Sequence, residues 1–337
     1  MKKVVTLGEI MLRLSTSPGE LLTSADTLHM HYGGGEANVA IALSGYGYDT
    51  YFVSKVPDNA LGRGVQRHLL ANGVSTAYLL QGGERLGTYY LEAGIGERSP
   101  RVTYDRKHSS FSTLSINELN FEEILDGAAL FHVSGITLAI SQQLRELTLE
   151  ALKTAKKLGI KTSFDFNYRA TLWSQDEAAS AIMAILPYVD ICSCGELDAI
   201  YLLGIKKAAD DQSKQEQLIY YYREINKMFP NIKTMVSTLR HNISASRNEL
   251  QGNLYTDGKL YQSKVHDIQP IVDRVGGGDA FAAGILNGIL AEMDHETTVT
   301  FAAAASALKH TVHGDCSQFT KEEVHRFIES GSGKITR

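Results

Sequence analysis

Residues 128–167 read AALFHVSGITLAISQQLRELTLEALKTAKKLGIKTSFDFN, and their rhythm sets the fold class. The opening run, AALFHVSG, is apolar almost throughout and reads as a buried strand. Leu144, Leu147, Ala151, Ala155 and Leu158 then recur at helical spacing, with Ser141 placed as N-cap and Gly159 past the last turn. KTSFDFN, 161–167, reads as the next strand. The alternation continues through helix 177–188, strand 189–194, helix 196–204, a helix around 213–228 and strand 232–239. Such a succession predicts a mostly parallel sheet covered by helices on both faces. Two alanine-rich helices, 279–291 and 297–310, close the pattern.

The first third is built differently. KKVVTLGEI (2–10) and TYFVSKV (50–56) read as strands flanking a helix that begins near Gly35. TLHMHYG (27–33), GTYYLEAG (87–94) and RVTYDRK (101–107) are polar, aromatic and alternating, the pattern of exposed antiparallel strands. They predict a β lid built roughly from 11–33 and 87–112, on a single domain spanning 1–337. A lid of that kind suits closure over a site or pairing with a second copy.

Composition narrows the partners. The chain has 337 residues, 43% hydrophobic and 21% charged, with net charge -5 and no long basic run, which disfavours nucleic acid. Its longest apolar stretches fall short of a membrane span. The N-terminus enters a strand pattern without a signal-peptide core, and three cysteines cannot close a disulfide set, so a cytoplasmic protein is expected. Cys192 and Cys194 read as buried small hydrophobes. His132 reads as a structural core histidine, whereas His29 and His31 alternate on a lid strand.

RVGGGDAFAAG, 274–284, carries the chemistry. Gly276, Gly277 and Gly278 before Asp279, at a helix start, can form a nest of backbone N–H groups for an anion. Asp279 itself cannot ligate that anion, but can serve as a general base beside it. A second cluster, GGGEANVAIALSG from Gly33, also ends at a helix start, with Asn38 in the first turn.

Together the two clusters resemble the signature regions of the PfkB (ribokinase-like) carbohydrate kinases. Gly33, Gly34, Asn38 and Ala40 match the first, and Asp273, Gly276–Gly278, Asp279, Ala283 and Gly284 the second. The resemblance implies a three-layer α/β/α core with a small antiparallel β lid. Within the family, GEIMLRL, GGGEANVA, YDRKHSS, DFNYRATLW and DRVGGGDAFAAG are most similar to 2-keto-3-deoxygluconate kinases. The implied reaction is transfer of the ATP γ-phosphate to the sugar's 6-hydroxyl. Asp279 would be the base and the amides of Gly276, Gly277 and Gly278 the anion hole, with Mg²⁺ bridging phosphates.

Sugar-binding residues implied by the resemblance are Gly33, Gly34, Asn38, Tyr104, Arg106, Arg169 and one of Tyr89 and Tyr90, left undecided by strand alternation. Arg106 and Arg169 together suit a carboxylate, whose charge a neutral ketose lacks. Glu196, Ser237 and Arg240 are expected at the nucleotide phosphates, with Glu196 and Asp198 reaching the metal through water. The match is imperfect: Gly195 stands where the family's Asn-x-x-Glu motif has asparagine, and TLRHNISASRNE lacks the usual glycine-containing nucleotide loop. Alternatives are a kinase for fructose or ketodeoxygalactonate, or a non-catalytic sugar sensor. A homodimer through the lid is expected, and activation by a monovalent cation is left open.

Overall fold

The computed structural model describes residues 1–330. Its strands in chain order are β1 (Lys3–Leu7), β2 (Met11–Ser15), β3 (His29–Gly33), β4 (Asp49–Val56), β5 (Leu79–Gln81), β6 (Thr88–Glu92) and β7 (Arg101–Asp105). They continue with β8 (Ala128–Ser134), β9 (Lys161–Asp165), β10 (Ile191–Ser193), β11 (Thr234–Ser244), β12 (Arg247–Thr256), β13 (Lys259–Gln262) and β14 (His266–Ile268). The α-helices are α1 (Gly35–Gly45), α2 (Ala60–Ala71), α3 (Phe121–Leu125), α4 (Gly135–Ile140), α5 (Gln142–Lys157) and α6 (Gln175–Ile185). After them come α7 (Glu196–Tyr201), α8 (Lys214–Met228), α9 (Gly277–Leu290), α10 (His295–Lys309) and α11 (Lys321–Ser330).

The main sheet runs β13-β12-β11-β10-β9-β8-β1-β4-β5. Every pairing from β11 to β5 is parallel, as the alternation predicts, and β12 adds an antiparallel edge. Successive side chains point to opposite faces of a strand, and that separates two cores. Val5, Phe131 and Phe164 join the core that includes Leu144, Ile182 and Tyr222 from α5, α6 and α8. Val4 and Leu130 join the core beneath α1, α9 and α10, with Val39, Leu286 and Phe301. These are the three expected layers. Ser141 caps α5 by accepting from the Leu144 N–H at 3.2 Å, as its position predicts.

One element exceeds its expected length. The strand expected over 232–239 continues to Ser244 and folds back as β12, a hairpin whose outer part, Leu239–Ile243, is exposed. Its polar composition belongs to a projecting ribbon rather than to the core.

The second sheet is β3-β2-β6-β7. Its outer pairings are antiparallel and the central β2–β6 pairing is parallel, so two crossovers from the main sheet assemble it. All four strands fall inside 11–33 and 87–112. Met11, Tyr89 and Leu91 turn inward to pack with Val275, ahead of α9.

Candidate active site

Between the small sheet and the carboxyl ends of β1, β8, β9, β10 and β11 lies a cavity of about 1460 Å³. Open parallel sheets place ligands there, where loops leave the strand ends. The arrival of α9 defines its floor. Gly276 precedes α9 at φ 81°, a left-handed conformation, and a side chain there would overlap the Asp315 carbonyl. The N–H groups of Gly276, Gly278 and Asp279 have no partner among the described residues, as the first turn of a helix dictates.

Gly277 departs from the expected anion hole. It is not on the cavity wall: its N–H lies 3.4 Å from the Arg274 carbonyl, and a side chain there would overlap the His310 ring. The cavity wall at this helix start is therefore Gly276 and Gly278, joined by Asp279. Arg240, on β11, brings its Nη2 over Gly278, so a guanidinium and a helix N-terminus face the same space.

Asp279 opens onto the cavity but sits deep in it. Burial pushes its carboxyl up to about 6; the Asn38 hydrogen bond opposes the rise, and the charges of Glu36 and Asp315 add to it. Asn38 Nδ2 donates to Asp279 Oδ2 at 2.7 Å, while Asn38 Oδ1 accepts from the Gly34 N–H at 3.4 Å. Gly33 and Gly34 line the same wall. Glu36, fully buried, accepts from the Ser134 N–H, Ser134 Oγ and Thr137 Oγ1, which anchors the start of α1 against the end of β8.

The tyrosine ambiguity resolves. Tyr89 is buried, lines the cavity and donates its hydroxyl to Asp315 Oδ2. Tyr90 points to the other face of β6 and is absent from the wall, a correction set by strand alternation. Tyr104 also lines the cavity, its ring 5.7 Å from the Arg106 guanidinium.

Arg106 corrects the two-arginine argument. Its Nε and Nη2 both bond Glu9 Oε2, so its charge already has a partner inside the protein. Glu9 Oε1 is buried without a partner among the described residues and borders the cavity. Arg169 is exposed, its Nη1 donating to the neighbouring Tyr168 carbonyl at 3.1 Å, and it lines the cavity with the guanidinium largely uncommitted.

Sequence reasoning missed the fastening beneath the site. Arg13 on β2 bonds Asp315 Oδ1 at 2.9 Å and Asp273 Oδ2 at 2.6 Å, all three side chains buried. Burial works against the Arg13 charge, but Asp315 and Asp273 outweigh it and hold the pKa above its usual value. Asp273 also accepts from the N–H groups of Val275 and Gly314. Arg13 lay in the quoted GEIMLRL and Asp273 in the glycine signature, but their meeting is tertiary.

At the other end of the cavity, Asp165 is pushed up to about 7 by burial, then by the charges of Asp279 and Asp198. Asp198 is raised by burial and accepts from the Gly195 N–H at 2.8 Å, capping α7. Glu196 lies on the wall with Tyr221 Oη at 3.5 Å and Lys214 Nζ at 3.7 Å. Among the described residues no group of three His, Cys, Asp or Glu could hold a metal unaided. Ser237 Oγ lines the cavity, accepts from Asn253 Nδ2 at 3.3 Å and lies 2.8 Å from Tyr222 Oη, whose hydroxyl also reaches the Cys194 carbonyl at 3.0 Å.

A deep carboxyl beside a helix N-terminus and an arginine, under a small β sheet, is an arrangement that suits phosphoryl transfer to a small molecule. The model of the pfkB family carbohydrate kinases matches residues 1–322, and the chain belongs to that family of ATP-dependent carbohydrate kinases. It is 36% identical over 335 residues to the 2-dehydro-3-deoxygalactonokinase of Haloferax volcanii, covering 99% of each chain. The crystal structure of 2-dehydro-3-deoxygluconokinase from Thermotoga maritima superposes with TM-score 0.94 at 41% identity, over 98% of this chain and 100% of that one. A putative ribokinase II from E. coli, crystallised with ATP and Mg²⁺, shares the fold at TM-score 0.80 and 19% identity, covering 98% and 100%.

Proposed function

We propose that the protein transfers the γ-phosphoryl group of ATP to the 6-hydroxyl of 2-keto-3-deoxygluconate. The observation that carries this is Asp279: a carboxyl lifted to about 6, one oxygen held by Asn38, at the start of a helix whose free N–H groups face the cavity. Oδ1 is left to accept the proton of the attacking hydroxyl, and a base with that pKa is ionised at neutral pH. Charge on the transferring phosphoryl group is met by the amides of Gly276, Gly278 and Asp279 and by Arg240. Ser237 donates to the phosphate chain.

The carboxyls near the phosphates fit Mg²⁺. Burial raises both Asp165 and Asp198, and the Asp198 charge adds to the rise at Asp165, an excess of negative charge that a dication relieves. Mg²⁺ keeps several waters and needs only one or two carboxylates beside the phosphates, which agrees with a site incomplete on its own. Asp165 and Asp198 would hold it there, where it would neutralise phosphate charge; Glu196 lies beside Lys214.

Arg169 is the group for the sugar's carboxylate, through charge-assisted hydrogen bonds. Glu9 Oε1 accepts a sugar hydroxyl, and Tyr89 and Tyr104 wall the sugar. The lid from 11–33 and 87–112 belongs to one kinase domain over the whole chain. A homodimer forms through its outer face, where Met30 is 57% exposed and the edge strand β7 is exposed along its length. Free, buried cysteines fit a reducing cytoplasm.

The galactonate epimer is the second reading, favoured by the name of the 36% identical Haloferax relative. The test is ADP release with Mg-ATP on 2-keto-3-deoxygluconate, 2-keto-3-deoxygalactonate, fructose, gluconate and ribose, with the product's phosphate located by NMR. Turnover of a keto-deoxy acid at its primary carbon supports the reading. Turnover of fructose alone removes the carboxylate argument, and binding without turnover makes the protein a sensor.

A further inference from the structure

Lys309, in the last turn of α10, is completely buried. Its Nζ lies 3.4 Å from the Asp273 carbonyl and 3.4 Å from the Val312 carbonyl. Among the described residues it forms no ion pair. Asp273 and Asp315 lie near enough to favour its charge, yet both carboxylates are bonded by Arg13. Burial pulls the ammonium's pKa below its usual value, so the charge is held at a cost. A leucine or methionine would fill that space without it.

The two carbonyls come from segments that support the phosphate-facing turn. Asp273 opens the segment leading to Gly276 and α9. Val312 lies on the return from α10 that carries Asp315, whose carboxylate bonds Arg13 and whose backbone packs on Gly276. The same two segments are joined by Val272 and Asp273 N–H groups donating to the His310 carbonyl, and by Gly314 N–H donating to Asp273 Oδ2. An ammonium gathering backbone carbonyls between them does the work of a bound monovalent metal ion, since both are small cations that carbonyl oxygens solvate.

We propose that Lys309 is a built-in monovalent cation: a positioning residue whose ammonium fixes the turn at Gly276 from beneath, so that phosphoryl transfer needs no added potassium. This rests on the reading of the α9 start as the phosphate site.

The test compares wild type, Lys309→Ala and Lys309→Met in tetramethylammonium buffer. KCl or NH₄Cl is titrated at constant ionic strength, and both sugar turnover and thermal midpoint are followed. Wild-type kcat is expected to change less than about twofold with potassium, whereas Lys309→Ala loses about tenfold or more, in kcat rather than sugar KM. Saturable recovery of Lys309→Ala by K⁺ or NH₄⁺ is expected, and none in Lys309→Met, whose side chain fills the cavity. Severalfold activation of wild type by potassium overturns the proposal. So does an alanine variant that needs no cation, or a folded one that no small cation restores. If Lys309→Ala does not fold, the wild-type titration alone decides. If no sugar is turned over, the functional reading fails while the melting curves still judge Lys309. A saturable potassium-dependent rise in the alanine variant alone supports it, and an equal response in wild type contradicts it.

Discussion

Asn38 Nδ2 donates to Asp279 Oδ2 at 2.7 Å, joining the first turns of α1 and α9 across 241 residues of chain. The bond fixes which carboxylate oxygen is free, and it lowers the proton affinity that burial raises. Asn38→Ala should therefore move the acid limb of kcat/KM to higher pH and lower kcat by about tenfold or more, the scale of a hydrogen bond to a charged group. Initial rates between pH 5 and 8 check both effects. An unchanged limb would separate Asn38 from the base.

The pH dependence of the wild type follows from the same carboxyl. Asp279 must be ionised to accept a proton, so kcat/KM should fall about tenfold per unit below its pKa of about 6 and level off above it. For stability the sign is opposite. Between the ordinary value of 3.8 and about 6 the native state binds more protons than the unfolded one, so stability falls as pH rises through that window. Above it Asp279→Asn should be the more stable protein, by at most about 3 kcal/mol at 1.36 kcal/mol per unit. Urea melts at pH 4 and pH 8 check this: the difference between variants should open only at the higher pH.

Arg13→Met should be strongly destabilising. It leaves the Asp273 and Asp315 carboxylates buried without their counter-ion, a loss of the order of 3–5 kcal/mol for a broken buried pair. Chemical denaturation measures it, and a loss under about 1 kcal/mol would mean that the Arg13 bonds are not what holds the small sheet to α9.

The two arginines that line the cavity should separate. Arg169→Ala is expected to raise KM for a keto-deoxy acid about tenfold or more with little change in melting, because its guanidinium is exposed and largely uncommitted. Arg106→Ala leaves Glu9 buried and unpaired, so it should lower stability as well as sugar affinity. Paired KM and melting measurements distinguish them; equal destabilisation by both would contradict the assignment.

Much of this was legible in the sequence where the signal is local. The alternation through 128–239 gives the parallel core, and the two glycine clusters give both helix starts that meet at Asp279. Local pattern stops at contacts between distant segments. Arg13 finds Asp273 and Asp315 across 260 and 302 residues, and in sequence it is an unremarkable strand arginine. Lys309 looks like a basic residue in a last helical turn, a position normally solvated, and only the return of 310–315 buries it. Tyr89 and Tyr90 show the same limit, since a period of two separates the faces of a strand without saying which is inward. Arg106 looked like a free charge because Glu9, its partner, lies 97 residues away.

The most direct test of the account is steady-state kinetics of wild type and Asp279→Asn on 2-keto-3-deoxygluconate with Mg-ATP. The expected result is wild-type turnover and a loss in kcat of about 10²–10⁴-fold or more in the variant, with KM for the sugar little changed, as removal of a general base requires. A variant that retains wild-type kcat, or a wild type that binds the sugar without phosphorylating it, would contradict the assignment of Asp279 as the base.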